Sequence, residues 1–276
     1  MSLPQFLAGI GWPAGRRCVM RAQLTSGSLL SRDEQIVNCI SYCGVSWPIG
    51  HVPFGGRTQM SCGPQTFALR RGSVAGRNRD MSRFDITKTN LAVERLIEVT
   101  DNPRHLYLLH AYNRHRYLEM AGRWREIFDP EMTVAHPVYN FNVFGISTVL
   151  DGAEAVQAVY NEWSGTGQCI FYVDDEKLAV GDNTICSTAA IYQQTPGVIL
   201  AEAGADVDPD ATYLVKNVEH MIWPYDDQGR LIGEDVWEID ESKREIIKLD
   251  PSEVLTVEQS EVLLAPLIKP LPVRTF

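Results

Sequence analysis

The feature that most constrains this chain is a change of period at Trp163. Before it, apolar residues recur mostly at helical spacing, interrupted by one extended run; after it they alternate through several strand-like runs. Helices first and strands afterwards predict an α+β fold, with the helices laid on one curved antiparallel sheet. Residues 88–99 carry a short helical pattern. A longer helix follows: Asn102 is a good N-cap, and Pro103 occupies the first helical position, where its missing N–H costs nothing. Leu106, Leu109, Tyr117 and Met120 form its apolar stripe, and Gly122 ends it. A short helical turn stops at Pro130, and a strand runs from Val134 to Tyr139. Asp151 is expected to cap the next helix with Glu154 as its capping-box partner, burying Val156, Val159, Tyr160 and Trp163.

Beyond Trp163, CIFYVDDEKLAVGD and NTICSTAAIYQQT read as strands joined at Gly181-Asp182-Asn183. The stretch PGVILAEAGADVDPDA reads as an insertion or long loop, and the segment from Thr212 to Asp240 as a hairpin turning at Asp226 to Gly229. Thr256 with Gln259 caps a last helix through Leu264.

Residues 1–80 read differently. They hold nine Arg, no Lys, three acids, 11 of the 21 Gly and four of the six Cys, with little periodicity. That resembles translated upstream DNA, so a native start at Met81 is expected, with 1–80 a mis-called or poorly ordered extension and 81–276 one domain. Cys18, Cys39, Cys43 and Cys62 offer one C-x3-C pair and no second pair at ligand spacing, which argues against zinc. Cys169 and Cys186 read as small buried apolar residues, which fits a reducing compartment.

Net charge is −10, and residues 81–276 hold 16 basic against 32 acidic side chains, a balance that repels phosphate backbones. No run of 18 apolar residues occurs, and the apolar N-terminal patch lacks a preceding basic region. The expectation is a soluble cytoplasmic protein without nucleic-acid or membrane partners. No G-x-G-x-x-G, Walker or G-x-S-x-G pattern is present, so no cofactor and no metal are expected.

Trp124, Ile127, Phe128, Pro130, Glu131 and Met132, then His136-Pro137, match an entry to a first strand, and Asp151, Gly152, Glu154, Ala155 and Val156 match the start of a third helix. Over roughly residues 102–250 the chain resembles the nuclear transport factor 2-like superfamily, which includes the SnoaL-like proteins. The resemblance implies a cone-shaped sheet closed by helices around a deep apolar pocket, and a homodimer through the sheet's outer face. The scaffold carries many functions, so the resemblance alone assigns none.

Period 2 splits the strand Tyr213–Pro224 into two faces. One carries Lys216 and His220 among aliphatic residues, about 13 Å apart at about 3.3 Å per residue. Either these two are desolvated proton carriers in the pocket, or their face is the solvent side. The resemblance adds His136 in the first strand and Asp235 in the last as candidate catalytic groups, with Glu234 and Glu238 on the opposite, solvated face. Tyr192 is a candidate hydrogen-bond donor to a ligand oxygen. Tyr139, Phe141, Trp223 and Asn113 are candidate substrate contacts; an interhelical hydrogen bond is the alternative for Asn113. Glu119 and Glu126 read as part of a solvated helix face.

General acid–base chemistry in a dry pocket is the function class that remains. The IYQQTPG and HMIWPYD segments and the long tail are similar to bacterial aromatic-catabolism members, the sphingomonad diarylpropanediol lyases in particular. That implies a lignin-derived aromatic dimer as substrate and formaldehyde release to a stilbene. The alternatives are an isomerase, dehydratase or epoxide hydrolase acting on another hydrophobic molecule, or a non-catalytic ligand-binding module.

Overall fold

The structure, a computed structural model, describes residues 84–276. The expectations for residues 1–80, for a start at Met81 and for the first four cysteines lie outside the described residues.

Two helices, α1 (Leu91–Val99) and α2 (Pro103–Met120), open the described chain. Asn102 caps α2 as its sequence position predicts: the side-chain oxygen accepts from the backbone N–H of Arg104 and of His105. α2 is buried on nearly every side, with Leu108, Leu109, Tyr112, Tyr117, Leu118 and Met120 fully enclosed. Each such side chain contributes on the order of 1.5–3 kcal/mol of transfer free energy. A 3-10 turn (Trp124–Phe128) leads into β1 (Thr133–Val143) and β2 (Ile146–Asp151). Then come α3 (Ala153–Thr166), β3 (Phe171–Val180), β4 (Thr184–Pro196), α4 (Gly197–Glu202), β5 (Thr212–Pro224), β6 (Leu231–Glu238), β7 (Glu245–Lys248) and α5 (Val257–Leu264).

The strands form one sheet in the order β2-β1-β6-β5-β4-β3, with β7 added beside β5. The α+β expectation holds, but the sheet is mixed: β1 runs parallel to β6, with Val138 opposite Gly233 and Tyr139 opposite Glu234. The other pairs are antiparallel. At Gly233 a Cβ would fall 1.8 Å from the carbonyl oxygen of Val138, so this close approach of two strands requires glycine.

Three local expectations change. β1 is longer than expected and returns as β2 through Phe144-Gly145, both at positive φ, a hairpin the sequence reading did not contain. Asp151 does not cap α3; it ends β2, and its carboxylate lies 2.7 Å from His136 Nε2. Gly152, at φ +91, makes the turn into the helix instead. The stretch read as a loop after Pro196 begins with α4. At the C-terminus Thr256 and Gln259 form the expected capping box. There α5 docks on the end of α2, where Ser260 Oγ donates to the Met120 carbonyl at 2.7 Å.

Candidate functional site

The inner face of the sheet and the helices α2 and α3 enclose a cavity of about 170 Å³. Its walls are largely apolar: Phe141 and Val143 from β1, Leu150 from β2, Trp163 from α3, Phe171 from β3, Ile191 from β4 and Met221 and Trp223 from β5. The ionisable groups converge from four elements. Arg116 and Glu119 come from α2, Tyr160 from α3, Glu219 from β5 and Glu234 from β6.

Helical spacing explains the first pair. Tyr112, His115, Arg116 and Glu119 stand at i, i+3, i+4 and i+7, a polar stripe on a helix whose other faces are also buried. Arg116 pairs with Glu176 of β3 through both guanidinium nitrogens, at 3.0 and 2.8 Å, and stacks 4.5 Å over the Tyr112 ring. Glu176 also accepts from the Tyr112 hydroxyl at 2.9 Å. The cavity's one arginine is thereby neutralised by a partner outside the lining.

The carboxyls inside behave unlike surface acids. Burial pushes Glu119 up to about 8, against the pull of Arg116, and Glu219 adds repulsion. Burial also raises Glu219, to about 7, although it accepts from Asn217 Nδ2 at 2.6 Å. Glu234 is held well above the carboxylate range by burial and then by Glu119. Desolvation and the neighbouring Arg116 push His115 the other way, down to about 3. His115 Nε2 lies 2.9 Å from the Tyr160 hydroxyl and 3.3 Å from Glu234 Oε1. With His115 pushed down and Glu234 pushed up by burial, the two meet as neutral groups, each hydrogen-bonded to the Tyr160 hydroxyl, with the proton on Glu234. Tyr139 sits at the register position opposite Glu234, fully buried, its hydroxyl without a hydrogen bond of ordinary length.

At neutral pH the cavity therefore holds two protonated acids, Glu119 and Glu234, beside Glu219, which is poised between its two forms. A protonated carboxyl donates and a carboxylate accepts, so both halves of acid–base catalysis are present in an apolar chamber.

The structure does not bring the five sequence-derived catalytic candidates together. His136 is exposed and paired with Asp151. Lys216 pairs with Glu245 of β7, and His220 Nδ1 lies 2.7 Å from Thr188 Oγ1 at the surface. Asp235 accepts from Asn140 Nδ2. Tyr192 is buried, but in a separate cluster with Leu214 and Leu249, where Phe84 packs against its ring. Of the expected substrate contacts, Phe141 and Trp223 line the cavity, Tyr139 lies behind the lining, and Asn113 accepts from Asn90 Nδ2 at 2.7 Å between α1 and α2. The strand phase is the reason. On β5 the inward set is Tyr213, Val215, Asn217, Glu219, Met221 and Trp223, not the set with Lys216 and His220. On β6 the inward residue is Glu234, 6% exposed, and not Asp235. Glu238, expected in solvent, is buried against Arg244. Glu119, read as solvated, lines the cavity.

Among the described residues no group of three or more His, Cys, Asp or Glu side chains could hold a metal ion, and no helix is long and apolar enough to cross a membrane.

No family model matches the sequence, and no curated protein does. Among solved structures the chain is similar to a SnoaL-like polyketide-cyclase candidate from Jannaschia sp. CCS1, at 15% identity and TM-score 0.39, over 50% of this chain and 89% of that one. It is similar to an NTF2-like protein from Anabaena variabilis ATCC 29413, at 10% identity and TM-score 0.38, over 52% and 96%. A third is SalBIII, an epoxide hydrolase/cyclase-like enzyme of pyran ring formation in salinomycin, at 12% identity and TM-score 0.36, over 53% and 98%.

Proposed function

We propose that the protein is a cofactor-independent acid–base enzyme acting on a hydrophobic aromatic alcohol, and that the reaction is formaldehyde release from a diarylpropanediol. The observation that supports this reading is the pairing of an acid pushed up to about 8, Glu119, with one at about 7, Glu219, in the same apolar cavity. The substrate class comes from the sequence resemblance given above, and the aromatic walls suit it.

In the scheme, Glu119 donates its proton to the benzylic hydroxyl as the C–O bond breaks and water leaves. The para-phenol loses its proton and its electrons fill the vacancy as a quinone methide. Glu219, as carboxylate, takes the proton of the neighbouring primary alcohol. That oxygen's electrons form the C=O of formaldehyde, the C–C bond breaks, and its electron pair becomes the stilbene double bond as the ring regains aromaticity. The phenolate recovers from water the proton it had released to water, the proton taken by Glu219 returns to Glu119, and the products are stilbene, water and formaldehyde. Glu234, Tyr160 and His115 position the chamber floor through their neutral hydrogen bonds.

The test is a panel of aromatic diols, steroids and epoxides incubated with the protein and read by mass spectrometry, with formaldehyde assayed in parallel. Glu119→Gln and Glu219→Gln are each expected to reduce turnover by about 10²–10⁴-fold. Turnover should trace a narrow bell between the two macroscopic values of the pair. Wild-type turnover in either variant rejects the assignment of roles. Water loss without formaldehyde would make the protein a dehydratase on the same site. A homodimer through the outer sheet face remains the proposed assembly, and a monomer at micromolar concentration by light scattering would oppose it.

A further inference from the structure

The charge inside the cavity is lopsided. Three carboxyls reach it and one cation, Arg116, whose guanidinium is already bound on Glu176 outside the lining. Two of the carboxyls have partners: Glu219 accepts from Asn217, and Glu234 has His115 and Tyr160 at 3.3 and 3.5 Å. Glu119 has none. It is nine-tenths buried, at 9% exposure, it lines the cavity, and among the described residues it makes no hydrogen bond and no ion pair. A buried carboxyl without a partner is costly and rare, and it marks a place where something else binds.

The surroundings say what kind of group. Around the carboxyls stand Phe141, Phe144, Trp163, Phe171 and Trp223. Aromatic faces attract cations, and a carboxyl that ionises in a water-poor chamber attracts positive charge strongly and repels anions. We infer that this cavity is a receptor for hydrophobic cations: an arylalkyl ammonium seats its ring among these aromatic side chains and donates its N–H groups to Glu119, with Glu219 beside it. The ammonium takes the place of the carboxyl proton, which leaves to solvent. This goes beyond the lyase reading and does not depend on it.

The linkage with pH follows from the groups that face Glu119. Arg116 on its own helix, with Glu176 of β3 behind it, draws the proton off. Glu219 of β5 holds it on as it ionises, and the charge of an ionised Glu119 in turn keeps the proton on Glu234 of β6. Tyr139 of β1, Tyr160 of α3 and Cys169 before β3 are themselves pushed up, by burial first, and stay neutral. An alkylammonium resembles that of lysine and keeps its charge to about pH 10. Binding therefore tightens as pH rises through the range where Glu119 sheds its proton, and the proton is released on binding below that range.

The experiment titrates the full chain with three ligands of one shape, 3-phenylpropylammonium, 3-phenylpropanol and 3-phenylpropionate. Calorimetry in buffers of different ionisation enthalpy counts the protons released. At about pH 8 the ammonium should bind about tenfold more tightly than the alcohol, and the carboxylate weakest, the size expected of one poorly solvated charge pair. Ammonium affinity should fall several-fold at about pH 6. Glu119→Gln copies the protonated carboxyl and should fold normally; it is expected to abolish the ammonium preference while the alcohol still binds. Equal affinity for ammonium and alcohol, preference for the carboxylate, an unchanged ratio in Glu119→Gln, or no binding by any of the three overturns the inference. Diol turnover is read separately, so an active lyase indifferent to the ammonium ends this inference alone, and an inactive protein that binds the ammonium ends only the lyase reading.

Discussion

On β5, Lys216 and His220 point to one side of the sheet, and Asn217 and Glu219 to the other. The outer pair meets solvent or surface partners, Glu245 and Thr188. Such exposed contacts are worth little, because water screens them and would solvate each group alone. On the inner side Asn217 donates to Glu219, which shares the cavity with Arg116, Glu119 and Glu234 behind apolar walls, where water cannot replace a missing partner. Polar side chains one position apart on one strand therefore differ in what they cost to bury and in how far burial shifts their protonation. The lesson is that burial, and not side-chain type alone, sets the electrostatics on each face of this sheet.

The hardest way to break the inner side is to remove its cation. Arg116→Met leaves the buried Glu176 carboxylate without a counter-charge, held only by the Tyr112 hydroxyl, and the urea midpoint at neutral pH should report a loss of about 3–5 kcal/mol. Adding Glu176→Gln to that variant should restore part of it; no restoration would mean that the pair is not what the arginine stabilises.

Next comes the pH dependence of the fold. Glu119 is raised to about 8 from an ordinary 4.5, so the folded state holds a proton that the unfolded chain gives up between those values. Its contribution is fully present below about 4.5 and lost as pH rises through about 8. Glu119→Gln cannot lose that proton. The variant should overtake the wild type as pH climbs, by about 2–4 kcal/mol near pH 8, with Glu219 and Glu234 leaving some slope behind. Parallel stability curves for the two proteins would show that Glu119 ionises freely in the fold.

The smallest effects belong to the outer side. Lys216→Ala and His220→Ala should each change stability by no more than about 1 kcal/mol and leave diol turnover within about twofold. A tenfold loss of turnover in either would move the chemistry to the outer face and undo the comparison.

Several caps and turns were legible in the sequence because their causes are local, though the cap expected at Asp151 and the turn at Phe144-Gly145 were not. Asn102 before Pro103, Thr256 with Gln259, and the turns at Gly181 to Asn183 and Asp226 to Gly229 each satisfy backbone groups within a few residues. The site was not, because period 2 tells which residues share a face and is silent on which face is inside. Tyr213, Met221 and Trp223 on the Glu219 face were the available signal, since three large apolar side chains outweigh the charge of one carboxyl. Glu119 was hidden for another reason. An apolar stripe through Leu109 and Met120 implies a polar far side in water, yet α2 is enclosed all round and its polar stripe faces a cavity. The parallel β1–β6 pair lay beyond any local pattern, as did Glu234, whose inward position that pairing fixes.

That pairing has a consequence for the order in which the chain can fold. Val138 and Gly233 are roughly 95 residues apart, and between them lie β2, α3, the β3–β4 hairpin, α4 and all of β5. On the ribosome β1 emerges long before its central neighbour exists, with only β2 to cover one edge. At about 5–20 residues per second, the other edge waits on the order of ten seconds, its backbone groups and the aromatic face of Tyr139 and Phe141 unprotected. Loop closure of this length makes the β1–β6 contact a late and slow event. Premature association between two nascent chains through β1 is the failure that such an order invites, and slowing synthesis upstream of β6 would lengthen the exposure.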